Sequence, residues 1–278
     1  MSTTPDTTAD TGVGTTAKAA SPAVSSGGPS RDVTGKLVAA AAVLLVWQIA
    51  GTAWLPDYLP TPLGVLGQAI PTLTSASFLG SVWETVSAVV LGLLLGCVPG
   101  IVAGLLIGRV AWLRHLSTPY ISGLYAMPML AIVPMATIWF GYNDVTRVIV
   151  VALSAFLPCA VSTADGARAL PGNLADVARV LNVPRRRFIT DFVLPSALPF
   201  AVAGVHVAVG RALVGAAAVE FLANLDGLGT FILTNARSFA QDQAFVGVAV
   251  LALLGVLARA GTERLVRRVA PWQHAGRE

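Results

Sequence analysis

The sequence predicts an all-α polytopic membrane protein with six transmembrane helices and one long cytoplasmic loop between the fourth and fifth. Three observations carry that prediction. Of 278 residues, 55% are hydrophobic and 12% charged, about half the charged share of roughly 25% found in soluble domains, and the mean hydropathy is +0.74. Six apolar stretches, at about 37–54, 84–108, 119–140, 145–164, 197–219 and 244–263, each hold about 18 or more residues, enough to cross a hydrocarbon core of about 30 Å as a helix. Cations, finally, gather between alternate stretches, as the rule that Lys and Arg stay on the cytoplasmic side requires.

Residues 1–35 are rich in Ser, Thr, Ala, Gly and Pro and lack apolar periodicity. Such a segment buries too little surface to offset its ordering entropy, so it is expected to be a disordered cytoplasmic tail. It has neither the basic start nor the apolar middle of a signal peptide, which makes the first stretch an uncleaved anchor. The six-helix domain is expected over 36–272, with the loop at about 166–196 and a short cytoplasmic C-terminal tail at 273–278.

With the N-terminus inside, the cytoplasmic face receives Arg31, Lys36, Arg109, Arg114, the cations from Arg168 to Arg187, and Arg259, Arg264, Arg267, Arg268 and Arg277. The outer face then holds Arg147 and Arg237 beside Asp57, Glu84, Asp144, Glu220, Asp226 and Asp242. The net charge of +4 thus belongs to a one-sided membrane protein with membrane lipid as a partner, and gives no support to a nucleic-acid partner. Both termini are then expected to be cytoplasmic.

Within the spans, Pro99, Pro128, Pro134 and Pro158 are expected to kink their helices. Cys97 and Cys159 read as packing residues, because a free thiol in an apolar helix behaves as a small hydrophobe. The sequence has no CxxC, and His115, His206 and His274 are scattered, so no metal site is expected. The lysines Lys18 and Lys36 precede Ala19 and Leu37, so the Gly-Lys-Ser/Thr phosphate cradle is missing. Glu84, Asp165 and Glu220 fall at span ends, leaving no carboxylate at a span centre where an ion-coupled carrier would place one. No catalytic residue and no cofactor are expected. If this chain moves solute uphill, another subunit supplies the energy, and a secondary ion-coupled carrier is the competing reading.

Polar residues inside the fifth stretch are the candidates for a solute pathway. Arg211 leads, since an intramembrane arginine is by default a functional hypothesis; a structural pairing with a helix-end carbonyl or carboxylate is the alternative. His206 joins it, with core packing as its alternative. Met127, Met129, Met135 and Trp139 line a gate on one reading and pack between helices on the other.

The loop from Asp176 to Pro199, DVARVLNVPRRRFITDFVLPSALP, has internal punctuation. Val177, Val180 and Leu181 recur at helical spacing. Asn182 tolerates the left-handed conformation that ends a helix. Pro184 suits the first turn of a second short helix, led by Arg185, Arg186 and Arg187, with Phe188 and Phe192 on one face. Leu194-Pro195 and Leu198-Pro199 then return the chain to the membrane. The pattern is helix, turn, helix, re-entry: a knob fit for a groove on a soluble partner, or, alternatively, a set of cations anchored at anionic headgroups.

This segment resembles the EAA loop of the permease subunits of ATP-binding-cassette importers. That loop reads acidic–small–Ala, three residues, Gly, about a dozen residues, then Leu-Pro. Asp176, Val177 and Ala178 match its start and Leu194-Pro195 its close; Asp replaces the usual Glu, and Asn182 stands at the Gly. The likeness runs from about 37 to 272 and is nearest to the branch importing sulfonates, taurine, nitrate and pyrimidine precursors, through Tyr125–Gly141 (YAMPMLAIVPMATIWFG), Gly210–Glu220 (GRALVGAAAVE), GLGTFI with its downstream NAR (Gly227–Arg237), and Leu59–Pro62.

The resemblance implies a non-hydrolysing permease subunit working with a second permease subunit, read as an identical copy. It also implies a cytoplasmic ATPase and an extracytoplasmic solute-binding protein. It assigns ATPase coupling to Asp176, Val177, Ala178, Asn182, Arg185, Leu194 and Pro195. Glu220 and the Asp226–Gly229 turn are placed, by position, where the binding protein docks.

Overall fold

The computed structural model describes residues 29–53, 59–170 and 172–269. Compact units comprise residues 1–46 and 47–278. The described part of the first is helical, being the start of α1 (Pro29–Ala53), with Leu37, Val38, Val43 and Leu44 exposed along it. The helix begins at Pro29, a residue suited to a first turn; residues 1–28 of the expected tail lie outside the described residues, as does the C-terminal tail at 273–278.

The second unit continues α1 from Trp47 and adds α2 (Pro62–Leu73), α3 (Ala76–Arg109), α4 (Ala111–Ala126), α5 (Met129–Phe140), α6 (Asp144–Arg168), α7 (Gly172–Val180), α8 (Arg185–Arg187), a π-helical segment (Phe188–Val193), α9 (Leu194–Ala223), α10 (Leu228–Arg237) and α11 (Gln241–Val269). Among the described residues, five helices are long and apolar enough to cross a membrane, and a sixth span results if the bent pair α4–α5 crosses as one. The fold is all-α, as the composition predicted.

A parallel pair, α3 and α6, forms the centre. Gly92, Gly96, Gly100, Gly104 and Gly108 stand four apart along one stripe of α3, and α6 lies directly on it. A Cβ on Gly100 would come 2.7 Å from the Phe156 carbonyl oxygen, and one on Gly108 2.6 Å from the Ala167 Cβ. Small residues let backbones approach closely where lipid supplies no hydrophobic drive for helices to associate. On its other face α6 takes α9 in antiparallel register, Gly166 against Phe200, Gly204 against Cys159 and Gly215 against Ser154. Cys97 and Cys159 share one buried cluster with Ala155 and Ala208, the packing role expected of them.

The third predicted span, 119–140, is not one helix. It breaks at Met127-Pro128, and α4 and α5 meet at 101°. Pro128 has no N–H to donate and forces its predecessor out of the helical region; Met127 accordingly has ψ 131° and Pro128 ψ 123°. Pro99, Pro134 and Pro158 stay inside their helices.

Two short helices outside the six predicted stretches close the end remote from the loop. At α2, Thr61 caps the helix by accepting from the Gly64 N–H at 3.0 Å, and the Thr61 N–H donates to Asp242 at 3.2 Å. At α10, Phe231 packs edge-on against Phe78 with ring centroids 4.9 Å apart.

Candidate functional site

At one end of the bundle the α7 loop is an ordered knob. Asn182 has φ 50°, and the Val183 N–H reaches back to the Ala178 carbonyl at 3.0 Å, a left-handed helix terminus of the kind Asn was predicted to make. Asp176 and Arg179 pair at 3.0 Å on the exposed side. Val177, Val180 and Leu181 are 50%, 80% and 68% exposed, whereas Ala178 is buried. The predicted coupling residues therefore divide. Val177 and its exposed neighbours present an apolar face outward, whereas Ala178 is turned inward.

The second short helix also differs from the expectation. It is not a separate element followed by re-entry, because Arg185 to Ala223 forms one 39-residue helical run. The π-helical turn in its path has a local cause. Pro195 has no N–H, and its ring crowds the carbonyl four residues back; widening the turn relieves this, and the Leu194 N–H bonds Ile189, five residues back. Leu194-Pro195 is thus the seam of a continuous lever. Val193 is buried with Ala167 and Ala197, against Leu105 and Phe188. The Arg109 guanidinium lies 4.9 Å from the Phe188 ring centre, and Phe188 stacks on Phe192. Arg185 begins α8 just after the Pro184 N-cap. The segment that follows the knob is thus tied to the ends of both α3 and α6.

Sequence reasoning missed the polar centre at the opposite end. Arg147, expected on the outer face at the start of the fourth stretch, is 2% exposed. Its Nη2 donates to Glu84 at 2.7 Å and to Asp144 at 2.6 Å, and its Nη1 donates to the Asp226 carbonyl and lies 3.9 Å from Glu220. Glu220 is fully buried and accepts from the Thr85 hydroxyl at 2.8 Å and the Gly229 N–H at 2.7 Å. Thr85 in turn accepts the Leu228 N–H at 2.9 Å, and the Thr230 hydroxyl donates to the Glu220 carbonyl at 2.8 Å. The GLGT run is a backbone cradle: a Cβ on Gly229 would lie 2.8 Å from the Glu220 Cβ. Of the three residues expected at a docking surface, Glu220 and Gly229 are buried in this cradle and Asp226 is exposed. The signal available in sequence was the glycine pair seven and nine residues beyond a span-end glutamate.

Midway along the bundle, the Arg211 guanidinium sits 4.1 Å from the centre of the Tyr125 ring. The carboxylate pairing left open for Arg211 is not found among the described residues; a cation–π contact holds it instead. His206 is half-buried with its Nε2 unpartnered. Met127 forms the bend beside Tyr125, and Trp139 is 69% exposed on α5. The structure thus brings Arg211 and the bend together, and leaves Trp139 apart on the surface.

Residues 100–271 match the family described as binding-protein-dependent transport system inner membrane component. The chain is similar to the taurine transport system permease protein TauC of Escherichia coli, 28% identical over 87% of this chain and 91% of TauC. It is also similar to the riboflavin transport system permease protein RibX of Chloroflexus aurantiacus, 34% identical over 83% of this chain and 87% of RibX. Among solved structures, a chain of a bacterial ABC transporter importing the acidic polysaccharide alginate superposes with a TM-score of 0.58 at 13% identity, covering 86% of this chain and 93% of that one. At that identity the likeness speaks for the fold.

Proposed function

The chain belongs to the binding-protein-dependent transport system inner membrane component family and is a multi-pass permease subunit of an ABC importer, and from that premise we propose that it forms, with a second copy, the path of a small anionic solute of the sulfonate type. The termini and the α7 knob face the cytoplasm, where the knob seats in an ATPase subunit. An extracytoplasmic solute-binding protein delivers solute near Asp226. The observation that carries the coupling role is the exposed apolar face of Val177, Val180 and Leu181, joined by a short turn to the Phe188–Val193 segment that Arg109 of α3 and Ala167 of α6 hold in place. An isolated apolar face of this kind on a polar loop favours burial by a partner, and a rigid lever attached to the core converts movement of that partner into rocking of the bundle.

Anion transport is supported by Arg211, a cation inside a long apolar helix with no carboxylate partner among the described residues, and by the taurine permease relative. The riboflavin permease relative supports a second reading, a heteroaromatic solute. Reconstitution with a cognate ATPase and solute-binding protein tests both. ATP-dependent uptake of taurine or an alkanesulfonate, surviving an uncoupler, is expected; uptake that follows a proton gradient and ignores ATP would instead make the chain a secondary carrier.

A further inference from the structure

At the knob end, α4 stands away from the α3–α6 pair. No residue of α4 is buried, and the gap is a cavity of about 420 Å³ whose walls include Ile107 of α3, Val161 and Arg168 of α6, and one face of α4. Arg114, Thr118, Ile121, Ser122 and Tyr125 follow one another along that face at helical spacing. The volume lies within the roughly 300–1,000 Å³ usual for small-molecule sites.

Two guanidinium groups line the cavity together with apolar walls. Arg168 is pair-bonded to Asp165, but Arg114 has no carboxylate partner among the described residues, although it is half-buried. The Thr118 hydroxyl is spent on the Arg114 carbonyl at 2.7 Å, whereas the Ser122 hydroxyl has no hydrogen-bond partner among the described residues and keeps its donor. At the far end the Tyr125 ring leads to Arg211. Two cations thus line the slot itself, and a third stands beyond the Tyr125 ring that closes it.

We propose that this cleft binds an oxyanion carried on a short apolar body, with Arg114 and Arg168 holding the oxygens and Ile107, Ile121 and Val161 receiving the hydrocarbon, which extends toward Ser122. That such a ligand is the transported solute on its way past Arg211 rests on the permease reading; the headgroup of an anionic lipid has the same chemistry. Guanidinium groups suit both because they bind oxyanions by charge-assisted, paired hydrogen bonds.

The test uses the full chain in phosphatidylcholine nanodiscs, with butanesulfonate binding followed by saturation-transfer NMR and phosphatidylglycerol retention by native mass spectrometry. R114Q, which removes an unpaired cation, and S122F, which fills the slot without altering charge, are each expected to weaken binding at least about tenfold, or about 1.4 kcal/mol, with an unchanged unfolding midpoint. Loss of butanesulfonate binding supports the site with a free solute as ligand; loss of retained phosphatidylglycerol supports it with lipid as ligand. Equal binding by native chain and variants, or no binding of either probe, overturns the proposal. Binding needs neither ATP nor partner subunits, so failure here is separate from failure of ATP-driven uptake.

Discussion

The Thr85 hydroxyl donates to the Glu220 carboxylate at 2.8 Å, joining α3 to α9 across 135 residues of chain. Because the same oxygen accepts the Leu228 N–H, one threonine couples two spans to the α10 cradle. Such a network is stable while every member is satisfied and costly once one is removed.

Arg147→Leu should therefore destabilise far more than Glu220→Gln. The first leaves Glu220 buried without its cation, a loss of about 3–5 kcal/mol by analogy with broken buried ion pairs. The second keeps the shape and one of the two accepting oxygens, and is expected to cost about 1–2 kcal/mol. Arg147→Leu combined with Glu220→Gln should recover part of the loss, and a double-mutant cycle on unfolding midpoints in detergent measures it. Additive effects would show that the pair does not interact.

The glycine stripe predicts opposite signs for one substitution at two places in the same helix. Gly80 has nothing within 4 Å of an added Cβ, while at Gly100 the Cβ would meet the Phe156 carbonyl oxygen at 2.7 Å. Gly80→Ala should be neutral or stabilise by up to about 1 kcal/mol through helix propensity. Gly100→Ala should destabilise by about 1–3 kcal/mol through overpacking against α6. Thermal unfolding of the two variants decides it, and a stabilised Gly100→Ala would refute the close α3–α6 approach.

These outcomes show where sequence was legible. Apolar run lengths disclosed the spans because hydrocarbon permits little besides helices, and Asn182 and Pro184 disclosed the knob because each restricts the backbone locally. The break at Pro128 was expected only as a kink; its 101° angle depends on how α5 packs against α6 and α9, which no local pattern states. Arg147 and Glu220 looked like surface charges since each lies near a span end, and only the folded register brings them together with Thr85. Ala178 matched a motif, and a motif does not tell which side of a short helix is covered.

Arg211 and Tyr125 supply a test of the solute pathway. A cation–π contact of this kind contributes about 0.5–2 kcal/mol, so Tyr125→Phe should be mild in both stability and uptake. Arg211→Leu should lower uptake of an anionic solute by about tenfold or more while raising or leaving unchanged the unfolding midpoint, because it removes a charge from an apolar helix. If uptake of taurine or an alkanesulfonate is equal in Arg211→Leu and the native chain, the arginine does not serve the anion.

The α7 knob permits its two roles, partner contact and internal support, to be separated. The Asp176–Arg179 pair is exposed, with side chains 71% and 80% accessible, and exposed pairs contribute about 0–1 kcal/mol; Asp176→Arg should leave the unfolding midpoint nearly unchanged. Val180→Asp replaces a side chain that is 80% exposed and should likewise leave the fold intact. Both substitutions nonetheless place charge on the surface proposed to enter the ATPase, and each should reduce stimulation of that ATPase by about tenfold or more, consistent with burial of an unpaired charge at an interface. Ala178→Arg behaves differently, since Ala178 is only 3% exposed: it should lower the midpoint as well as the stimulation. Co-purification of the ATPase with each variant, read beside the unfolding midpoint, separates the cases, and full stimulation of the ATPase by Val180→Asp would remove α7 from the contact.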